Sequence, residues 1–161
     1  MDGDLPSGWL TDAEADELRR VASDRTVLEL GAWKGRSTVA LAETARFVVS
    51  VDNHRGIPWK GGEDTLPDYL AAVRALPNVA VVVGDFETVV PLLGSFDLVF
   101  VDGFHGASDV ERDAHLARDH AVEMVVFHDW DYEPVRRGAR RALGYREPDK
   151  TVETLAAFWL W

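Results

Sequence analysis

The sequence predicts a doubly wound, mainly parallel α/β sheet with helices on both faces and a C-terminal antiparallel strand. Three observations carry this. Short apolar runs alternate with segments of helical periodicity from Thr11 to Leu143, the order that parallel strands need because each crossover holds a helix. The runs are nearly continuously apolar rather than alternating, as in strands covered on both faces. Finally, Asp52, Asp85, Asp102 and Asp129 fall at the ends of four of these runs. These are the carboxyl ends, where ligands of such sheets collect.

The elements follow in order. Thr11 reads as a helix N-cap with Glu14 three residues on as its capping box. That helix runs to about Ala22 and buries Ala15, Leu18 and Val21 or Ala22. Trp9 and Leu10 precede it and can staple its start. Thr26–Leu30 is the first strand, interrupted only by Glu29. Gly31 and Gly35 form a turn, and a helix begins near Ser37 and Thr38. Phe47–Asp52 is the second strand. Residues 53–64 have the composition of a loop, and a long loop after a strand is often functional; Trp59 is a candidate wall of an acceptor pocket, and Arg55 and Lys60 candidate partners for an acidic group. A helix over Thr65–Leu76 tolerates Pro67 in its first turn and stops at Pro77-Asn78. Val79–Val83 is a buried strand closed by Gly84-Asp85, and Glu87–Leu93 a short helix.

Phe96–Asp102 is the fourth strand, followed by Gly103-Phe104-His105, and Ser108–His120 is a helix with Val110, Ala114 and Ala117 on one face. Val122–Phe127 is the fifth strand and ends in His128-Asp129-Trp130. A basic helix covers Glu133–Leu143; its Arg136, Arg137, Arg140 and Arg141 are expected to pair with nearby carboxylates. Thr151–Trp161 reads as a final strand or one strand of a hairpin. The expectation is a single domain over 1–161, with an N-terminal helix in 1–25, a cofactor-binding core in 26–143 and C-terminal strands in 144–161.

Composition narrows the function classes. The net charge is −11, from 28 acidic and 17 basic residues, which argues against a nucleic-acid partner because binding phosphates needs a basic face. There is no cysteine, so disulfides and thiolate metal sites are excluded. No apolar stretch reaches the ~18 residues of a membrane span, and Met1-Asp-Gly-Asp4 lacks a signal peptide's basic and apolar regions. The expectation is a cytoplasmic protein acting on a small molecule, with neither membrane nor nucleic acid as partner.

A strand, a glycine turn and a helix start form a site for a nucleotide-like ligand. The turn here is Glu29-x-Gly31-x-x-x-Gly35-x-Ser37, with Ala32 and Trp33 inside it. Trp33 stands where the dinucleotide fingerprint G-x-G-x-x-G has its middle glycine, which counts against an NAD-dependent oxidoreductase. Asp52 lies 21 positions after Gly31, the spacing at which a strand-end carboxylate reaches ribose hydroxyls in either cofactor class; Asn53 adjoins it.

Asp102 and the pair His128-Asp129 end two strands expected to be neighbours, about 4.8 Å apart. Two carboxylates and an imidazole suit a hard or borderline divalent ion. A vicinal diol can replace the water on such an ion, and the ion lowers the hydroxyl's pKa. His105, three residues past Asp102, has the ordinary pKa of a base at neutral pH.

The Glu29–Ser37 motif resembles motif I of class I S-adenosylmethionine-dependent methyltransferases, and Leu28–Ser37 that of the catechol and caffeoyl-CoA O-methyltransferases. Val101-Asp-Gly-Phe-His105 and Val126-Phe-His-Asp-Trp130 are closer still to the small-molecule family of macrocin-type sugar O-methyltransferases and cephalosporin hydroxylase-like proteins. The resemblance covers about residues 26–143 and implies a Rossmann-like sheet and transfer of a methyl group to a hydroxyl. It implies that Glu29, Gly31, Gly35 and Ser37, with Ala32 and Trp33, hold the methionine part of S-adenosylmethionine. Asp52 and Asn53 then serve the ribose, and Asp85 and Phe86 the adenine.

Asp102 and Asp129 match metal positions, for an ion such as Mg, and His105 matches the catalytic base. His128 replaces an acidic ligand of the relatives. Trp130 replaces the Asn ligand of the catechol enzymes, so a catechol-type metal shell is not expected. The chain also lacks the long N-terminal extension of larger relatives, which leaves room for a homo-oligomer to complete the acceptor site. N-methylation and a non-catalytic cofactor-binding module are the remaining alternatives.

Overall fold

The computed structural model describes residues 5–56 and 62–160. Its strands are β1 (Thr26–Leu30), β2 (Phe47–Asp52), β3 (Val79–Val83), β4 (Phe96–Val101), β5 (Ala121–Phe127), β6 (Lys150–Val152) and β7 (Leu155–Trp159). Its helices are α1 (Asp12–Ala22), α2 (Arg36–Ala42), α3 (Leu66–Val73), α4 (Phe86–Val89), α5 (Ala107–His120) and α6 (Glu133–Ala142), with a 3-10 turn at Val90–Leu92. The seven strands form one sheet in the order β3-β2-β1-β4-β5-β7-β6. Strands β1 to β5 pair in parallel, and β7 runs antiparallel to both β5 and β6. This is the expected Rossmann-like architecture.

Strand side chains alternate between faces, so each strand feeds two cores. On one face Leu28, Leu30, Val99, Val101, Val125 and Phe127 meet α5 and α6 through Val110, Ala114, Val135 and Ala139. On the other, Val27, Val48, Leu98, Phe100 and Val126 meet α1 and α2 through Leu18, Val21, Ala40 and Leu41.

The capping box of α1 forms as read: the Thr11 side chain accepts from the Glu14 N–H, and the Glu14 carboxylate accepts from the Thr11 N–H at 2.9 Å. The expected helix over 65–76 is shorter, because Pro77 disfavours helical geometry at Leu76 and the chain leaves α3 in a turn after Arg74. The chain end is a hairpin whose turn places Glu153 at φ 48°. The arginines of α6 pair as anticipated in three cases, Arg137 with Glu133, Arg140 with Glu147 and Arg141 with Glu111. Arg136 instead donates to the carbonyls of Trp130 and Asp131. Trp59 and Lys60, expected near the acceptor, lie outside the described residues, and Arg55 is exposed. Among the described residues, no helix is long and apolar enough to cross a membrane.

Candidate active site

The site lies at the carboxyl ends of β1 to β5, where the strand order reverses about β1 and β4. Its floor is the turn after β1. Gly31 sits at φ 96°, and a Cβ there would lie 2.1 Å from the Asp102 carbonyl oxygen. Only glycine lets the β1 and β4 ends come this close. Gly35, at φ 92°, leads into α2.

Two carboxylates fix the turn from opposite sides. Asp52 Oδ2 accepts from the N–H groups of Ala32 and Trp33 at 2.8 and 2.9 Å, and its Oδ1 accepts from the His54 N–H at 2.7 Å. Glu29 is fully buried beneath the turn. It accepts from the hydroxyls of Ser37 at 2.6 Å, Thr38 at 2.5 Å and Ser50 at 2.6 Å. Burial pushes its carboxyl up to about 7 against the pull of those three hydroxyls. Glu29 does not line the cleft; it reaches the cleft wall through Ser37, which does.

The cleft above this floor has a volume of about 790 Å³, within the range of small-molecule and cofactor sites. Gly31, Ala32, Trp33, Ser37, Asp52, Asn53, Asp85, Phe86, Asp102, His105, His128 and Asp129 all line it. Trp9 stacks on Trp33 with centroids 4.4 Å apart and planes 22° apart, and it lines the cleft with Gly8 and Leu10. Arg36 holds this N-terminal segment by donating to the carbonyls of Leu10 and Pro6 and to Asp12. The residues ahead of α1 therefore form a cleft wall as well as a helix staple.

At the β3 end, exposed Asp85 accepts from the Asn53 amide at 2.8 Å. The Phe86 ring packs against Gly103, where an added Cβ would lie 2.9 Å from the ring. Asp113 of α5 reaches the same glycine and was missed in the sequence. It is buried, accepts no hydrogen bond among the described residues, and burial pushes its carboxyl up to about 7. The signal was there: Asp113 falls on the helical face of Val110, Ala114 and Ala117.

The ends of β4 and β5 bring four predicted residues together. Asp102, His128 and Asp129 each offer a ligand atom, all within 4.8 Å of one another. His128 Nδ1 lies 3.3 Å from Asp102 Oδ1 and 3.2 Å from Asp129 Oδ2. His105 Nε2 lies 2.7 Å from Asp129 Oδ2 and 3.9 Å from Asp102 Oδ1. Asp129 adopts φ 54°, a left-handed turn that Asp tolerates better than most residues. The carboxylates of Asp102 and Asp129 hold His105 up at about 9. Burial pulls His128 down, but the same two carboxylates outweigh it and raise the ring. His105 first, then His128, lowers Asp129. On its other side the buried His128 ring meets Glu14 of α1, Nε2 to Oε2 at 3.4 Å. Glu14 was legible only as a cap, because the partner that gives it a second role is 114 residues away. Trp130, next to the cluster, turns inward against Phe127 and Phe158.

Residues 28–130 match the family model described as Methyltransferase domain. The chain belongs to this family. It is an S-adenosylmethionine-dependent methyltransferase, and the oxidoreductase alternative falls with that assignment. No curated protein sequence matches the methyltransferase.

Solved structures share its fold. The cofactor-bound Rv0187 of MTB is 23% identical with a TM-score of 0.69, over 88% of this chain and 70% of that one. An O-methyltransferase from Bacillus cereus in complex with SAH is 16% identical with a TM-score of 0.66, over 87% and 71%. The O-methyltransferase TomG from Streptomyces achromogenes, involved in tomaymycin synthesis and in complex with SAM, is 21% identical with a TM-score of 0.62, over 87% and 70%.

Proposed function

We propose that the methyltransferase transfers the methyl group to a hydroxyl of a small molecule, with a divalent metal such as Mg assisting. The observation that carries this reading is the convergence of Asp102, His128 and Asp129 on one point, beside His105 and in the same cleft as the glycine turn. Two carboxylate oxygens and an imidazole nitrogen fit an oxygen-preferring or borderline divalent ion. When bound, such an ion supplies charge that favours ionisation of the acceptor hydroxyl and a fixed point for a second, vicinal oxygen. The O-methyltransferases of similar fold support a hydroxyl acceptor.

The chain's own residues divide the remaining work. Asp52 presents a carboxylate to the ribose hydroxyls through its Oδ1, which keeps a lone pair beyond the His54 N–H bond it accepts, while Oδ2 is taken up by the N–H groups of Ala32 and Trp33. Gly31, Ala32, Trp33 and Ser37 line the wall for the methionine part, with Gly35, which does not reach the cleft, turning the chain into α2 and Glu29 holding Ser37 from below. Phe86 offers a ring face to the adenine, and Asp85 and Asn53 polar edges. The Asp102 and Asp129 carboxylates hold His105 up at about 9. With their charge offset by a shared cation, the exposed ring, oriented by Asp129, is free to accept the hydroxyl proton as the oxygen attacks the sulfonium methyl and the methyl–sulfur bond breaks. Most of the acceleration then comes from holding the nucleophile in line with the methyl group.

Calorimetric titration of S-adenosylmethionine and S-adenosylhomocysteine, with Mg²⁺ and then with a chelator, tests this reading. Micromolar binding of both, and diol binding that the chelator abolishes, are the expected results. With an acceptor in hand, His105→Ala should lower kcat by about 10²- to 10⁴-fold. Full turnover by that variant would remove His105 from the base role, and chelator-insensitive turnover would remove the metal.

A further inference from the structure

We propose that Glu14 is a positioning residue for the cation site: it holds His128 with the Nε2–H turned toward α1 and the Nδ1 lone pair turned toward Asp102 and Asp129. The inference rests on the reading that a divalent ion binds there and adds a residue from outside the strand ends that build the site.

His128 is 5% exposed and Glu14 1%, so neither has water to fall back on as a partner. The Glu14 carboxylate has nearly all its acceptor capacity directed. Its Oε1 accepts from both the N–H and the hydroxyl of Thr154, in the β6–β7 turn. Its Oε2 accepts from the Thr11 N–H and faces His128 Nε2 at 3.4 Å. An ionised carboxylate can only accept, so the imidazole nitrogen facing it must be the one that carries hydrogen. In a neutral ring the lone pair is then on Nδ1. That nitrogen faces carboxylate oxygens at 3.3 and 3.2 Å, an arrangement that needs a positive charge among the three atoms, supplied by a proton on Nδ1 or by an ion that takes the proton's place. With an ion there, Nδ1 is its ligand and Glu14 is the carboxylate behind the ligand, an arrangement that sets the tautomer and ring orientation of metal-binding histidines.

A second observation separates this role from helix capping. A capping box is satisfied equally by Glu or Gln. Here the same side chain also faces a buried imidazole N–H, and only a carboxylate offers acceptor atoms on every side at once. A glutamine would turn an NH₂ group toward either Thr154 or His128.

The experiment compares Mn²⁺ affinity, by calorimetry, in the full chain, in Glu14→Gln and in Thr154→Val. The last loses a hydroxyl bond to Glu14 but leaves the carboxylate facing His128. Glu14→Gln should weaken Mn²⁺ binding about 10- to 100-fold, with Thr154→Val within about threefold of the unaltered protein. With Zn²⁺ bound, ¹⁵N shifts of His128 should report hydrogen on Nε2 and the metal on Nδ1.

Unchanged affinity in Glu14→Gln overturns the inference and leaves the metal reading standing, as does equal loss in Thr154→Val, which would mark a purely structural effect. Absence of Mn²⁺ binding to the unaltered protein overturns the metal reading itself. Should Glu14→Gln fail to fold, the tautomer of His128 in the unaltered protein with Zn²⁺ bound decides, and hydrogen on Nδ1 with the metal present overturns the proposal.

Discussion

Glu29 is the residue at which burial and chemistry conflict most sharply. It is a carboxylate with no exposed surface, kept beneath the glycine turn by three hydroxyls. Three donors offset part of the desolvation cost but not all of it, so its carboxyl rises from 4.5 to about 7. The sign of the consequence follows. Between those pH values the folded state holds the proton more tightly than the unfolded chain, so stability falls as pH rises from about 4.5 to 7 and then levels. From a shift of that size the contribution is roughly 3 kcal/mol at most. Glu29→Gln removes it, so urea unfolding at pH 5 and pH 7 should show a smaller loss in the variant than in the unaltered protein. Asp113 titrates in the same direction, so the variant keeps a residual slope. Equal slopes in the two proteins would mean that Glu29 is ionised throughout.

Elements explain which parts of this site could be read in advance. Strand ends are local: an apolar run followed by Asp or His-Asp marks its own carboxyl end, so Asp52, Asp102, His128 and Asp129 were legible one by one. Parallel pairing of β4 with β5 then brings the last three together. The capping box of α1 was legible for the same reason, since it needs only four residues. Glu14's contact with His128 was not, because it depends on how α1 docks across the β5 end and on the hairpin turn at Thr154. The position of Glu29 was half legible: the motif marks the residue, but its burial depends on Ser50 from the neighbouring strand.

Helix docking carries its own prediction. A Cβ on Gly138 of α6 would lie 2.5 Å from the Ala107 carbonyl and 2.8 Å from the Glu111 N–H, so this glycine sets how closely α5 and α6 approach. Gly138→Ala should destabilise the protein by about 1–3 kcal/mol in chemical denaturation. It should also disturb the cleft wall at Asp113, which α5 carries. An unchanged unfolding midpoint would show that the helices can separate at no cost.

Over the whole molecule, the cleft is where the two cores meet. Residues of the segment before α1 form one wall, residues of α5 and the β4 and β5 ends form another, and the turn after β1 lies between them. Asp52 ties that turn to β2 through the Ala32 and Trp33 N–H groups. A ligand spanning the cleft therefore bridges elements of both faces, and its binding energy should appear as global stability. By mass action, S-adenosylhomocysteine at about a hundred times its Kd adds ~2.7 kcal/mol, and for a chain of this size that raises Tm by roughly 5–10 °C. Asp52→Ala should lower Tm without ligand, because two turn N–H groups lose their acceptor, and should also shrink the ligand-induced rise at the same concentration. The two effects have separate causes and are measured in one thermal-melt series. A lower starting Tm with a full ligand shift would make Asp52 a structural clamp only, whereas a diminished shift would make it a clamp that also holds the ribose.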